Sequence, residues 1–298
     1  MNFLYCFDEK FNLQALNSVK SVIDNSTHTN TKFFIIHDNP ETFQKLIKKH
    51  LNNHQQRFNF CKFDLNTIEF PRLKNSHVSK ATYFRLFFQK YIPDDIEFIT
   101  YIDADIICVS ENLEKLNDKI IEISSDRTLI GAVTESVGGN NQNRLGMHNE
   151  KYFNAGVMII NLKLWRKNFS LNQILDRMNF LKENILWWDQ DVLNSLVDGN
   201  YTEIDSGFNK QVGKIDKKFN KNDIFLHYSG KVKPWSVSFF EDNRNKFYQD
   251  CFKNLNITKY HIEYVNKLDN FVFFKNLILG HYKKYGNFEI IKSYLKFK

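Results

Sequence analysis

Apolar positions in the first hundred residues fall into two alternating patterns. Short unbroken runs at Phe3 to Phe7, Lys32 to His37, Phe58 to Phe63 and Phe98 to Ile102 have the length and continuity of strands buried on both faces. Between them, Leu13, Leu16, Val19, Val22 and Ile23 recur at helical spacing, as do Phe43, Leu46, Ile47 and Leu51 behind Pro40, a residue suited to a first helical turn. Ser79 to Tyr91 predicts a further helix, with Tyr83, Leu86, Phe87 and Tyr91 toward a core. Strands separated by helices predict an α/β domain with a mostly parallel sheet. Ligands of such sheets gather beyond the carboxyl ends of strands, where Asp8 and Asp103 both fall.

After Val133 the pattern turns loop-like through Gly138-Gly139-Asn140-Asn141-Gln142-Asn143, a segment placed to lie over a site. Phe153 to Leu162 reads as another buried strand, Leu171 to Leu181 and Asp191 to Val197 as helices, and Phe225 to Tyr228 as a last strand. Beyond Ser238 the pattern is helical, basic and aromatic. The reading is a main domain over 1–243 and a helical segment over 244–298.

Charge sharpens that division. The chain carries a net +7, and all of the excess lies between Arg244 and Lys298, where 11 Lys and Arg face 4 Asp and Glu. Tyr248, Phe252, Tyr264, Phe271, Phe273, Phe274 and Tyr294 are interleaved with these lysines, as in segments that lie on anionic lipid. The competing reading is a small helical subdomain with solvated lysines. No motif supports a nucleic-acid partner. Cys6, Cys61, Cys108 and Cys251 lack metal or redox spacing and read as buried free thiols of a reducing compartment. The start of the chain is unlike a signal peptide, and no apolar run nears the roughly 18 residues of a membrane span. Together these predict a cytoplasmic protein, peripheral on the inner face of the membrane.

The candidate chemistry centres on Ile102-Asp103-Ala104-Asp105-Ile106. Side chains two apart on an extended chain point the same way, so Asp103 and Asp105 would meet where the strand ends. Paired carboxylates repel, and burying them without a partner is costly. A divalent cation with a taste for oxygen, such as magnesium or manganese, relieves both problems and would draw a diphosphate. Two solvated carboxylates would be the unremarkable alternative. Four further segments add to the pair: Ser79 to Leu86 with Arg85, Tyr152-Phe153-Asn154-Ala155-Gly156 before an apolar strand, Trp187-Trp188-Asp189-Gln190-Asp191 at a helix start, and His227-Tyr228-Ser229-Gly230-Lys231-Val232-Lys233-Pro234-Trp235 after a strand. Taken singly, His227 reads as a partly buried histidine and Arg85 as an ion-pairing arginine. Asp191 reads as a helix cap, and the tryptophans fit core anchors as well as sugar platforms.

In this order the set resembles family 8 of the glycosyltransferases, from about Asp8 to Trp235. The resemblance implies a GT-A fold, with a Rossmann-like, mostly parallel sheet flanked by helices. It also implies a retaining transfer from UDP-galactose or UDP-glucose, with manganese (or magnesium), to a saccharide acceptor, lipid-linked as in bacterial lipopolysaccharide and lipooligosaccharide synthesis. Asp103, Asp105 and His227 match the metal ligands, and Asp103 also the ribose contact. Asp8 matches the uracil contact, and Arg85 the arginine near the donor sugar and phosphate. Asn154, Asp189 and Gln190 match residues around the donor sugar, with Asp189 and Gln190 nearest to catalysis. Gly230 and Lys233 match the pair that closes over the diphosphate. Lys10 and Phe7 depart from the smaller residues common there. Gln190 is a poor nucleophile, so front-face attack with a UDP phosphate oxygen as base is favoured over a covalent intermediate on Asp189. The rival classes are a phosphohydrolase using Asp103 as nucleophile and a nucleotide-sugar module without catalysis. The later segments argue against the first, and the intact Asp103, Asp105, His227 and Gln190 against the second.

Overall fold

The computed structural model describes residues 1–27, 30–64, 68–71, 79–135, 140–214, 220–230, 233–237, 242–264, 267–280 and 286–297. Its strands are β1 (Asn2–Phe7), β2 (Lys32–His37), β3 (Phe58–Lys62), β4 (Phe98–Ile102), β5 (Ile106–Cys108), β6 (Ile130–Thr134), β7 (Phe153–Asn161), β8 (Tyr201–Glu203), β9 (Lys210–Gln211) and β10 (Phe225–His227). The α-helices are α1 (Asn12–Asp24), α2 (Pro40–His50), α3 (Lys115–Asp126), α4 (Asn141–Leu145), α5 (Leu162–Asn168), α6 (Leu171–Leu181), α7 (Trp188–Val197), α8 (Lys246–Lys253), α9 (Lys267–Ile278) and α10 (Asn287–Phe297).

Seven strands form one sheet in the order β3-β2-β1-β4-β7-β6-β8, and β5-β10-β9 form a second. β1 pairs in parallel with both β2 and β4, while β7 runs antiparallel to β4 and β6. Alternation along β1 sends Leu4 and Cys6 into one core and Phe3, Tyr5 and Phe7 into the other, so both faces of the sheet are covered. That is why these strands read as continuous apolar runs. Strand order reverses direction at β1 and β4, and the crevice beyond their carboxyl ends receives Asp8 and Asp103.

Four expectations change, three of them in the buried body of the fold. Lys80–Lys90 winds as a 3-10 helix, not an α-helix; Ser79 caps it by accepting from Ala81 N–H, and Ala81 and all six residues from Tyr83 to Phe88 are buried. A segment enclosed on all sides takes its winding from packing more than from propensity. Asp103 and Asp105 do not converge along an extended strand. Ile106 N–H bonds back to Asp103 C=O at 3.2 Å, and this turn carries the chain from the large sheet into the small one. The cysteines are free, but only Cys6 and Cys108 are buried; Cys61 and Cys251 are partly exposed.

The loop over 136–139, with Gly138-Gly139, lies outside the described residues, as does Lys231. Asn141 to Leu145, expected as loop, form the short helix α4.

The C-terminal aromatics divide into two groups. Tyr248, Phe252 and Leu255 are buried against the main body. Asn17 Nδ2 donates to Tyr248 C=O at 3.0 Å, and Tyr228 Oη to Arg244 C=O at 2.9 Å, so contacts cross the boundary at 243/244. Beyond them Val237, Ile262, Phe273, Ile290 and Tyr294 form a small core of their own. α9 and α10 expose Leu268, Phe271, Ile278, Phe288 and Leu295, each at least 65% accessible. No helix among the described residues is long and apolar enough to cross a membrane.

Candidate active site

The turn after β4, the end of β10 and the start of α7 meet at one edge of the sheet. One ligand atom from each of Asp103, Asp105 and His227 lies within 4.8 Å of the others. His227 Nε2 stands 3.5 Å from Asp105 Oδ1 and 3.8 Å from Asp103 Oδ2. Asp105 Oδ1 is buried and has no hydrogen-bond partner among the described residues, an arrangement that is costly unless another group satisfies it. An orphaned carboxylate oxygen beside an imidazole nitrogen fits a divalent cation, so these residues suit the metal that the sequence implied.

His227 can face the carboxylates because of Gly156 on the neighbouring β7. A Cβ there would sit 2.4 Å from His227 Cε1 and 2.6 Å from Nδ1, so only glycine leaves room for the ring. Nδ1 bonds to Asn209 Oδ1 at 2.8 Å. Asp105 is also tied to Lys233, whose Nζ lies 2.5 Å from Oδ2 and donates to Tyr228 C=O at 2.8 Å. Burial raises the affinity of the Asp105 carboxyl for a proton, but Lys233 and then His227 outweigh it and hold the group below the ordinary carboxylate range. Gly230 has φ +86° with open space around a hypothetical Cβ, so the turn needs its left-handed backbone and not its small volume.

Arg85 joins the metal cluster to α7. Nη1 pairs with Asp103 Oδ1 at 2.9 Å and donates to Ala155 C=O at 2.9 Å, while Nε pairs with Asp189 Oδ2 at 2.7 Å. The guanidinium also lies over the Tyr101 ring, and Tyr101 Oη donates to Asp103 Oδ1. Thr82 Oγ1 donates to the other oxygen of Asp189 at 2.6 Å. Desolvation pushes the Asp189 carboxyl up to about 6 in spite of Arg85 and Thr82.

Gln190 is equally constrained. Its Oε1 accepts from Ala155 N–H at 3.0 Å, and its Nε2 donates to Tyr152 Oη at 3.1 Å and Glu135 Oε2 at 3.3 Å. Trp188 supplies a left-handed turn, φ +45°, at the head of α7, an uncommon conformation for a bulky residue. Asp191 secures it from below. Fully buried, it accepts from Leu186 and Trp187 N–H, from both Arg144 nitrogens and from Tyr152 Oη. Of the tryptophans, Trp235 is buried and Trp187 is half-exposed beside Asp189 and Gln190.

Asp8 lies at the mouth of the β1/β4 crevice, its Oδ1 accepting from Lys10 N–H at 3.1 Å. Phe7 points away into the core, edge-on to His37 and Phe43, so its bulk does not narrow the crevice. Asp103, Asp105, His227, Arg85, Asn154, Asp189, Gln190 and Lys233 thus converge, while Asp8 and Gly230 flank the group.

Two residues in this cluster escaped the sequence reading. Glu135 accepts from Asn154 Nδ2, Gln190 Nε2 and Gln211 Nε2, which places a carboxylate beside residues matched to the donor sugar. Asn209 bridges His227 to Asn154. Neither sits in an apolar-then-polar motif. The one available signal for Glu135 was its place just past the end of β6, at the same edge of the sheet.

Residues 2–238 match the profile of glycosyl transferase family 8. The chain is 26% identical over 251 residues to a lipopolysaccharide 1,2-glucosyltransferase of Escherichia coli (strain K12), covering 73% of this chain and 68% of that one. It is 25% identical over 298 residues to a lipopolysaccharide 1,3-galactosyltransferase of Salmonella typhimurium, covering 89% and 84%. A crystal structure of the galactosyltransferase LgtC with donor and acceptor sugar analogues superposes with a TM-score of 0.73 at 22% identity, over 91% of this chain and 100% of that one. The fold is therefore GT-A, and with the family profile spanning most of its length, the chain belongs to glycosyl transferase family 8.

Proposed function

We propose that this protein is a retaining, metal-dependent hexosyltransferase that moves galactose or glucose from a UDP-sugar to a saccharide of lipopolysaccharide, lipooligosaccharide or a related cell-surface glycan. The observation that carries the reading is the Asp103–Asp105–His227 cluster with its unpartnered buried oxygen. The names of the relatives favour glucose or galactose and a lipopolysaccharide acceptor. A divalent cation held by these three residues supplies Lewis-acid stabilisation of a departing diphosphate. Its mixed nitrogen and oxygen donors suit manganese better than magnesium.

The protein's own groups do the rest. Lys233 is placed to turn from Asp105 toward phosphate oxygens, and Arg85 holds Asp103 and Asp189 at fixed separation. Asp8 stands where a base and ribose enter. Asn154, Asp189 and Gln190 line the position of the donor sugar. Both oxygens of Asp189 are engaged by Arg85 and Thr82, and Gln190 Oε1 by Ala155 N–H. That supports attack of the acceptor from the leaving-group face, with a UDP oxygen taking its proton, over a covalent intermediate. Glu135 holds the amides of Asn154 and Gln190 beside the donor sugar, and the half-exposed Trp187, near Asp189 in the chain, offers an aromatic plane for a sugar ring. The apolar surface of α9 and α10, together with the basic tail, favours a lipid-linked acceptor met at the inner face of the membrane.

The test is UDP release from a panel of nucleotide sugars, with manganese and with EDTA, in the presence of lipooligosaccharide fragments, followed by NMR of the product linkage. Manganese-dependent turnover of UDP-galactose or UDP-glucose to an α-linked product is expected. Undiminished turnover in EDTA, or a β-linked product, would overturn the reading.

A further inference from the structure

A chain of hydrogen bonds starts at a backbone group and ends on the metal-facing histidine. Gly156 N–H is a donor and nothing else, and it bonds at 3.0 Å to the side-chain atom of Asn154 that must therefore be Oδ1. That same oxygen is reached by Asn209 at 2.8 Å, and two oxygens cannot share a hydrogen bond, so Asn209 presents Nδ2 to it. Asn209 then turns its own Oδ1 to His227 Nδ1 at 2.8 Å. An acceptor facing Nδ1 requires the proton on Nδ1, which leaves the lone pair of a neutral imidazole on Nε2. Nε2 is the nitrogen that faces Asp103 and Asp105. At its other end Asn154 donates Nδ2 to Glu135, which also receives Gln190 Nε2.

We infer that Asn209 is a positioning residue that sets the tautomer of His227 and ties the metal half of the site to the donor-sugar half. It rests on the metal-dependent reading above. Asn209 is 3% exposed, so its two bonds are shielded from water. Gly207, two residues earlier, brings it there. A Cβ on Gly207 would meet Asn222 C=O at 2.6 Å, and Gly207 C=O accepts from Ile224 N–H just before β10, the strand that ends in His227. An asparagine suits the link because it carries an acceptor and a donor on one planar group. Aspartate offers only acceptors and would set an oxygen against Asn154 Oδ1.

Two variants separate the functions. Asn209→Ala removes both bonds; Asn209→Asp keeps the acceptor for His227 and loses the donor to Asn154. Nitrogen-15 NMR of the imidazole in metal-free protein reads the tautomer, and EPR of free manganese in a titration with UDP present reads metal affinity. The wild type should show the Nδ1-protonated form. N209A should mix the two tautomers and bind manganese about tenfold to a hundredfold more weakly, the usual range for removing a partner of a metal-bound histidine. N209D should keep the wild-type tautomer and manganese affinity within about threefold while kcat falls. Wild-type tautomer and manganese affinity in folded N209A would overturn the inference, and should N209A fail to fold, loss of the tautomer in N209D would do so. A wild type that binds no manganese with UDP would instead defeat the proposed function, leaving the tautomer measurement to decide the role of Asn209.

Discussion

The catalytic edge and the C-terminal helices break the usual rule of burial in opposite directions. At the edge of the sheet Arg85, Asp105, Asp189 and His227 are charged or titratable and buried. On α9 and α10, Phe271, Ile278, Phe288 and Leu295 are apolar and exposed. Both arrangements work against stability, the first through desolvation and the second through apolar surface left in water. The difference lies in compensation. Most buried charges at the edge have a partner at hydrogen-bond distance, and among the described residues Asp105 Oδ1 has none closer than His227 at 3.5 Å, an opening that suits the proposed cation. Among the described residues nothing covers the apolar face. The proposed function answers the two departures with two partners, an ion with its diphosphate for the buried charges and a lipid surface for the exposed apolar face.

Substitution of the metal-facing residues tests the first half most severely. Asp105→Asn and His227→Ala should each lower kcat at least about a hundredfold, equivalent to about 3 kcal/mol of transition-state stabilisation, while circular dichroism stays native. Activity within about tenfold of wild type in either variant would detach the cluster from catalysis. Glu135→Gln removes the charge and turns one of the two acceptor oxygens that three amides use into a donor facing a donor, and kcat should fall by roughly tenfold with a smaller change in affinity for UDP. A change confined to UDP affinity would move Glu135 from the sugar to the nucleotide.

Acid should act on the edge through Asp189. Its folded-state value of about 6 lies above the ordinary 3.8, so the folded chain binds the extra proton between those limits. This group therefore makes the fold more stable as pH falls through that window, while transfer declines as Arg85 loses an anionic partner. In Asp189→Asn the difference in melting temperature between pH 7 and pH 5 should lose that contribution. An unchanged difference would place the ordinary carboxylate value on Asp189. The smallest effect on chemistry belongs to the far end. Replacing Phe271, Phe288 and Leu295 by serine should weaken binding to anionic vesicles severalfold and leave UDP binding as it was. Equal vesicle binding would strip the exposed face of its lipid role.

Much of this was legible along the chain. Buried strands announce themselves as continuous apolar runs because both faces of the sheet are covered, and Asp8, Asp103 and His227 stand where such runs stop. Arg85, Asn154, Asp189, Gln190 and Lys233 belong to motifs that follow one another in a fixed order. The motifs survive in the sequence because each keeps several functional atoms within a few residues of one another.

What tertiary structure alone decided concerns groups joined across long separations. Glu135 meets Gln190 across 55 residues, and Asn209 meets Asn154 across the same interval. A single glutamate or asparagine carries no local pattern, since its role depends on which backbone it is brought against. The 3-10 winding of Lys80–Lys90 and the division of the tail into a docked part and an exposed part have the same origin. Periodicity fixes which residues turn inward together, but the choice of neighbour is made by packing and hydrogen bonding between segments that the sequence keeps apart.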